Sequence, residues 1–95
     1  MTKICVTAYA ALRDILGSRS LEVSTSATTV KELIEFLSEK HGESFKGKLV
    51  DPQTNTLQQS YRILLNGRDI DTLDGLKTQI QEGDTVIFFP PVGGG

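Results

Sequence analysis

The chain has 95 residues, 38% hydrophobic and 23% charged, with a formal net charge of −2. That length holds one core, burying roughly 60–65% of the surface the unfolded chain exposes, and the charge balance leaves no basic footprint for nucleic acid or an anionic membrane. No apolar run reaches the ~20 residues of a membrane span, and Met1-Thr2-Lys3-Ile4 lacks the apolar stretch of a signal peptide, so the cytoplasm is the expected compartment.

Lys3 to Tyr9 alternates, with Ile4, Val6 and Ala8 on one side and Cys5, Thr7 and Tyr9 on the other, which predicts a strand. Ala10 to Gly17 reads as a short helical turn closed by glycine. Ser20 to Ser24 alternates again, with Leu21 and Val23 inward, and is expected to pair with the first strand. Val30 to His41 carries the clearest helical signal: Val30, Leu33, Ile34 and Leu37 recur at i, i+3, i+4 and i+7. Thr29 and Glu32 form a capping box at its start, and Gly42 can close it in the left-handed conformation.

Glu43 to Ser60 holds Phe45, Leu49, Val50 and Leu57, which require anchoring, but Asp51-Pro52 and Thr54-Asn55 mark turns. The expectation is a long, partly ordered connection. Tyr61 to Asn66 is a strand, and Asn66-Gly67 a two-residue hairpin turn into Arg68-Asp69-Ile70. Leu73 to Ile80 is expected as a short helical crossover, Gly83-Asp84 as a turn, and Thr85 to Phe89 as the last strand. Pro90 to Gly95 cannot continue a sheet or helix, because proline lacks the amide proton and three glycines cost too much backbone entropy. The division is therefore a domain over 1–89 and a tail over 90–95. Strand, strand, helix, strand, short strand, crossover and last strand suggest an α+β fold, a mixed sheet wrapped around one main helix. That is the β-grasp, though periodicity alone leaves other α+β arrangements open.

The interior offers no catalytic constellation. Gly42-Glu43-Ser44-Phe45-Lys46-Gly47-Lys48 spells G-x-x-x-x-G-K, but Leu49 stands where a phosphate loop needs a hydroxyl, and the segment follows a helix, so a solvated loop is the expectation. Cys5 and His41 lie on a strand and at a helix end, with no oxyanion donor to join them. One cysteine and one histidine do not make a metal site, and a lone cysteine excludes an internal disulfide. Strand parity does yield a surface: if Val86 and Phe88 face the helix with Ile4, Val6, Ile63 and Leu65, then Cys5, Leu64, Ile87 and Phe89 share the other face. An apolar patch there is a partner site, unless the long connection covers it.

The chain's end carries a resemblance. Phe88-Phe89-Pro90-Pro91-Val92-Gly93-Gly94-Gly95 resembles the tail of the MoaD and ThiS sulfur carriers, relatives of ubiquitin, and is especially similar to that of the molybdopterin synthase small subunit. Ala10-Ala11-Leu12-Arg13-Asp14-Ile15-Leu16-Gly17 resembles the short helix after that family's first strand, with its arginine and acidic neighbour. Leu65 to Ile70, Leu73 to Leu76 and Gly83-Asp84 also match longer members, while Glu43 to Ser60 exceeds the compact ones.

The resemblance implies a ubiquitin-like fold and a carrier without catalytic residues, metal or cofactor of its own. Gly95 would bear the sulfur, and Gly94, Gly93, Val92, Pro91 and Pro90 would thread its carboxylate into partner active sites. Phe89, Ile87, Leu64 and Arg13 would bind the partners. Those partners would be an adenylating enzyme of the MoeB or ThiF kind and the large molybdopterin synthase subunit, or another sulfur acceptor. Glycine lets a backbone approach enzyme walls closely, and two prolines lower the ordering cost of docking. The rival readings are a thiocarboxylate carrier for thiamine, cysteine or tRNA sulfur, a modifier joined to lysines through Gly95, and an interaction module with an inert end.

Overall fold

Side-chain alternation decides which face each strand turns inward, and the computed structural model, which describes residues 1–58 and 61–89, follows it. Strands β1 (Thr2–Ala8), β2 (Ser20–Thr25), β5 (Arg62–Leu65), β6 (Arg68–Asp69) and β7 (Thr85–Phe89) form one sheet in the order β2-β1-β7-β5-β6. The first and last strands are neighbours and run parallel, with Val6 opposite Val86 and Ala8 opposite Phe88. All other pairings in this sheet are antiparallel. Helix α2 (Val30–His41) supplies Val30, Leu33, Ile34 and Leu37 to the core shared with Ile4, Val6, Ala8, Ile63, Leu65, Val86 and Phe88. The architecture is the ubiquitin-like β-grasp.

Local chemistry sets the element ends. Helix α1 (Ala10–Leu16) buries Leu12 and Leu16 and stops at Gly17, whose φ of 82° lets its N–H reach the Arg13 carbonyl at 2.8 Å. At the start of α2 the Thr29 hydroxyl accepts from the Glu32 N–H at 3.2 Å. The Glu32 carboxylate reaches back to the N–H and hydroxyl of Thr28, at 2.8 and 2.9 Å, so the capping box is displaced by one residue. These Thr28 bonds, the backbone one first, hold Glu32 below the usual carboxylate range. Gly42 closes α2 with φ 124° and ψ 142°, a positive-φ turn outside the left-handed helical region that was expected. Asn66 and Gly67 have φ of 52° and 86°, the twist a two-residue hairpin requires. The Asn66 amide also donates to Asp84 and accepts from the Thr85 N–H, both at 2.9 Å, tying that turn to the start of β7.

Two expectations are corrected. The connection from Glu43 is ordered over its described length, forming helix α3 (Ser44–Leu49) and a hairpin of β3 (Val50–Asp51) and β4 (Thr56–Leu57). The reason is burial: Phe45, Leu49 and Val50 enter the core, each contributing about 1.5–3 kcal/mol, and the Phe45 ring meets Phe88 edge-to-face at 5.3 Å. The G-x-x-x-x-G-K segment is thus neither a phosphate loop nor a solvated one, since its phenylalanine is buried and its second glycine lies within α3. Of the expected helical crossover over Leu73 to Ile80 only Gly75–Lys77 is helical, a single 3₁₀ turn; another, Ile70–Thr72, precedes the span, with Ile70 buried and Leu73 exposed. No helix among the described residues is long and apolar enough to cross a membrane.

The core assignment is tested by truncation. Phe88→Ala should lower the free energy of unfolding by about 3–5 kcal/mol, whereas Thr29→Ala, which removes only a cap, should cost about 1 kcal/mol, both read from urea denaturation. A Phe88→Ala loss no larger than that of Thr29→Ala would contradict this packing.

Candidate docking face at the end of the last strand

The sheet face turned away from α2 is organised in rows across β1, β7 and β5. In one row, Ile87 lies between Thr7 and Leu64. In the next, Phe89 stands opposite Arg62, and its ring stacks on that of Tyr9 with centroids 5.4 Å apart and planes inclined by 16°. Leu64, Ile87, Phe89 and Tyr9 are partly exposed, while the alternate residues Ile63, Leu65, Val86 and Phe88 are buried. The parity read from the sequence therefore holds. The described part of the long connection does not cover this face, because its anchors Phe45 and Leu49 enter the core on the α2 side.

Cys5 shares the face without belonging to the apolar patch. It is exposed and lies opposite Glu22 and Thr85 in a polar row farther from the end of β7. Arg13 lies on α1 beside the sheet rather than on it. Its N–H reaches the Tyr9 carbonyl at 3.4 Å and its exposed guanidinium lies 3.6 Å from the Asp14 carboxylate. Pro90, Pro91, Val92, Gly93, Gly94 and Gly95 fall outside the described residues.

Two residues of this surface were not singled out from the sequence. Tyr9 was visible only as one more outward position after Thr7. It lies past the end of β1, where the backbone turns sharply through Ala10 at φ 54°, a left-handed value that costs a residue with a Cβ about 1–2 kcal/mol. Arg62 donates from Nη1 to Asp69 Oδ2 at 2.8 Å across the edge of the sheet. Asp69 is held below the usual carboxylate range chiefly by the Asp71 N–H; partial burial opposes that shift and Arg62 reinforces it.

A β-grasp sheet whose last strand ends at a partly exposed aromatic pair defines a small ubiquitin-like protein. A family model for the ThiS family matches residues 6–95, and the chain belongs to that family. It is 32% identical over 89 residues to small archaeal modifier protein 3 of Haloferax volcanii, covering 92% of each chain. It is 33% identical over 80 residues to a candidate sulfur carrier protein of Archaeoglobus fulgidus, covering 84% of this chain and 89% of that one. Among solved structures it superposes on a candidate molybdopterin converting factor subunit 1 of Pyrococcus furiosus with a TM-score of 0.72 and 26% identity, covering 97% of this chain and all of that one. The family consists of small ubiquitin-like carriers.

The aromatic stack can be measured without any partner. A double-mutant cycle of Tyr9→Ala and Phe89→Ala, followed by urea denaturation, should give a coupling of about 0.5–1.5 kcal/mol. Additive losses would mean that the rings do not support one another.

Proposed function

We propose that this chain is a sulfur carrier whose reacting group is the carboxylate of Gly95, with residues 1–89 acting as the recognition domain and residues 90–95 as the reacting tail. The carrying observation is the ThiS-family match running through the final glycines, joined to an apolar face that ends at Phe89. A carboxylate is a poor electrophile. Attack by its oxygen on the α-phosphorus of ATP expels pyrophosphate and leaves an acyl adenylate. The terminal sulfur of a persulfide then attacks the carbonyl carbon, and AMP departs with the electron pair of the C–O bond. A second thiol breaks the resulting acyl disulfide, takes the partner sulfur and releases the thiocarboxylate. The carrier catalyses none of these steps; an adenylating enzyme does, and it must admit the tail through a channel where a Cβ would obstruct.

The proposed sulfur acceptor is the precursor of molybdopterin, with the large synthase subunit as second partner. Phe88-Phe89-Pro90-Pro91-Val92 and the similarity to the Pyrococcus protein support that choice. A modifier role, in which Gly95 forms an isopeptide bond with a lysine, is the second reading, supported by the similarity to small archaeal modifier protein 3. Both begin with the same adenylate and part at the nucleophile.

Incubation with the adenylating enzyme of the same organism, ATP and a sulfur source should raise the intact mass by one oxygen-to-sulfur exchange, ~16 Da, at Gly95. Recovery of Gly95 on lysine ε-amines, with no thiocarboxylate at any time, would favour the modifier reading. Deleting Gly94 and Gly95 should abolish loading at unchanged thermal stability. Adding one alanine after Gly95 should do the same, since it moves the carbonyl by up to ~3.5 Å, and about 1 Å of misplacement can cost roughly 100-fold in rate. Full loading of the extended chain, without trimming, would refute the mechanism. Phe89→Ala should weaken binding to the adenylating enzyme by about 1–3 kcal/mol, because aromatic anchors dominate small interfaces.

A further inference from the structure

Three of the four arginines lie toward the end of the sheet where β7 finishes, although the chain carries a net charge of −2. Arg62 stands directly opposite Phe89 across β5 and β7. Arg19 lies on the other flank, level with the end of β1, where its carbonyl accepts from the Ala8 N–H at 2.8 Å. Arg13 is one turn along α1 from Tyr9, whose ring covers Phe89. All three are exposed. The acidic groups in contact with them are Asp14, 3.6 Å from Arg13, and Asp69, 2.8 Å from Arg62. The fourth arginine, Arg68, pairs with Leu65 at the far end of β5. That end also carries Asp84, bonded to Asn66, and Glu82, which accepts from the Lys3 N–H. Three arginines thus lie toward the end where β7 finishes, whereas at the other end Arg68 and Lys3 are accompanied by Asp84 and Glu82.

We propose that Arg13, Arg19 and Arg62 form a cationic collar that docks on an acidic protein rim surrounding the channel that admits the tail. This rests on the carrier reading and adds the chemistry of the partner: carboxylates outside, an apolar seat for Tyr9 and Phe89 within. Charges farther away than the Debye length, about 10 Å at 0.1 M salt, are largely screened, so the collar and not the net charge governs the encounter. The existing ion pairs do not prevent this. Exposed pairs of this kind are worth at most about 1 kcal/mol, and Arg62 uses one of the five N–H donors of its guanidinium in its bond to Asp69. A nucleic-acid partner fits less well, since releasing three counterions gives a weak salt slope and the chain's twelve acidic residues outnumber its ten basic ones.

The test is steady-state adenylation of the full chain by the adenylating enzyme of the same organism. With Arg19→Gln and Arg62→Gln combined, KM for the carrier should rise about 5- to 20-fold with kcat unchanged, the signature of charges that steer encounter rather than chemistry. Between ~0.05 and ~0.3 M NaCl the wild-type KM should climb several-fold while that of the double variant stays nearly flat. Arg19→Lys with Arg62→Lys should recover most of the loss, and Arg68→Gln should change nothing. Melting curves verify that each variant is folded. An unmoved KM and an unchanged salt response in a folded double variant would overturn the collar while leaving the carrier reading intact. Failure of the wild type to be adenylated at Gly95 would overturn both. Retention of tRNA at ~0.15 M salt through these arginines, with KM unmoved, would overturn the assignment to a protein partner.

Discussion

The parallel pairing of β1 with β7 is the constraint on which the rest of the molecule depends. It joins residues about eighty positions apart, places both ends of the domain in the middle of the sheet and leaves β2 and β6 as the edges. A parallel pair cannot be closed by a tight turn, so the intervening chain must cross over, and α2 and its flanking segments make that crossing on one face. That face becomes the core. The other is left open, and its outward residues become a surface by the same alternation that buries their neighbours. The pairing also fixes where the domain releases its C-terminus, because β7 ends beside the residue that follows β1.

Phe88 and Phe89 show how sharply that alternation divides labour. They are adjacent in sequence, and both make an aromatic contact. Phe88 is fully buried and meets Phe45 edge-to-face, linking the last strand to α3. Phe89 is partly exposed and lies flat against Tyr9. A one-residue slip of β7 would exchange these roles, putting the core ring into solvent and the surface ring against the helix. The register is held by backbone bonds at the start of the strand: Asp84 receives the Cys5 N–H, and Thr85 exchanges bonds with Asn66. The hairpin turn at Asn66 thus aligns β5 and sets the phase of the surface several residues away.

The sequence revealed most where one element is long enough to repeat its own signal. Helix α2 repeats its apolar spacing over three turns and carries its own caps, and β1, β2 and β7 alternate without interruption. The segment from Glu43 was illegible for the opposite reason. It is built from a six-residue helix and two-residue strands, none of which spans two full periods. Gly42 and Gly47 further lower the helical propensity around Phe45. The i, i+4 spacing of Phe45 and Leu49 was the available sign, and tertiary burial supplies the stability that local preference does not. Of the docking face, Leu64, Ile87 and Phe89 followed from parity. Parity also turned Tyr9 outward but not onto Phe89, because a strand that turns through a left-handed alanine gives no warning in the usual glycine, asparagine or aspartate. Arg19 and Arg62 gather near Phe89 only through strand register, which single-segment patterns do not encode.

Core and surface are thereby assigned to alternate residues of the same strand. The buried residues Val86 and Phe88 point away from the partly exposed Ile87 and Phe89, so the outer face can change without loosening the core. The surface has an inner and an outer ring of chemistry. In the proposed docking, Tyr9 and Phe89 would offer flat, rigid area whose burial is insensitive to salt, and the arginines would act before contact and in a salt-dependent way. A carrier that serves two partners in succession, as proposed, would benefit from that division. Firm binding to the first enzyme would delay transfer to the second, whereas charge complementarity accelerates encounter more than it prolongs residence. The ion pairs Arg13–Asp14 and Arg62–Asp69 would temper the same balance, since exposed pairs are weak enough to yield to a stronger set of carboxylates in the proposed complex.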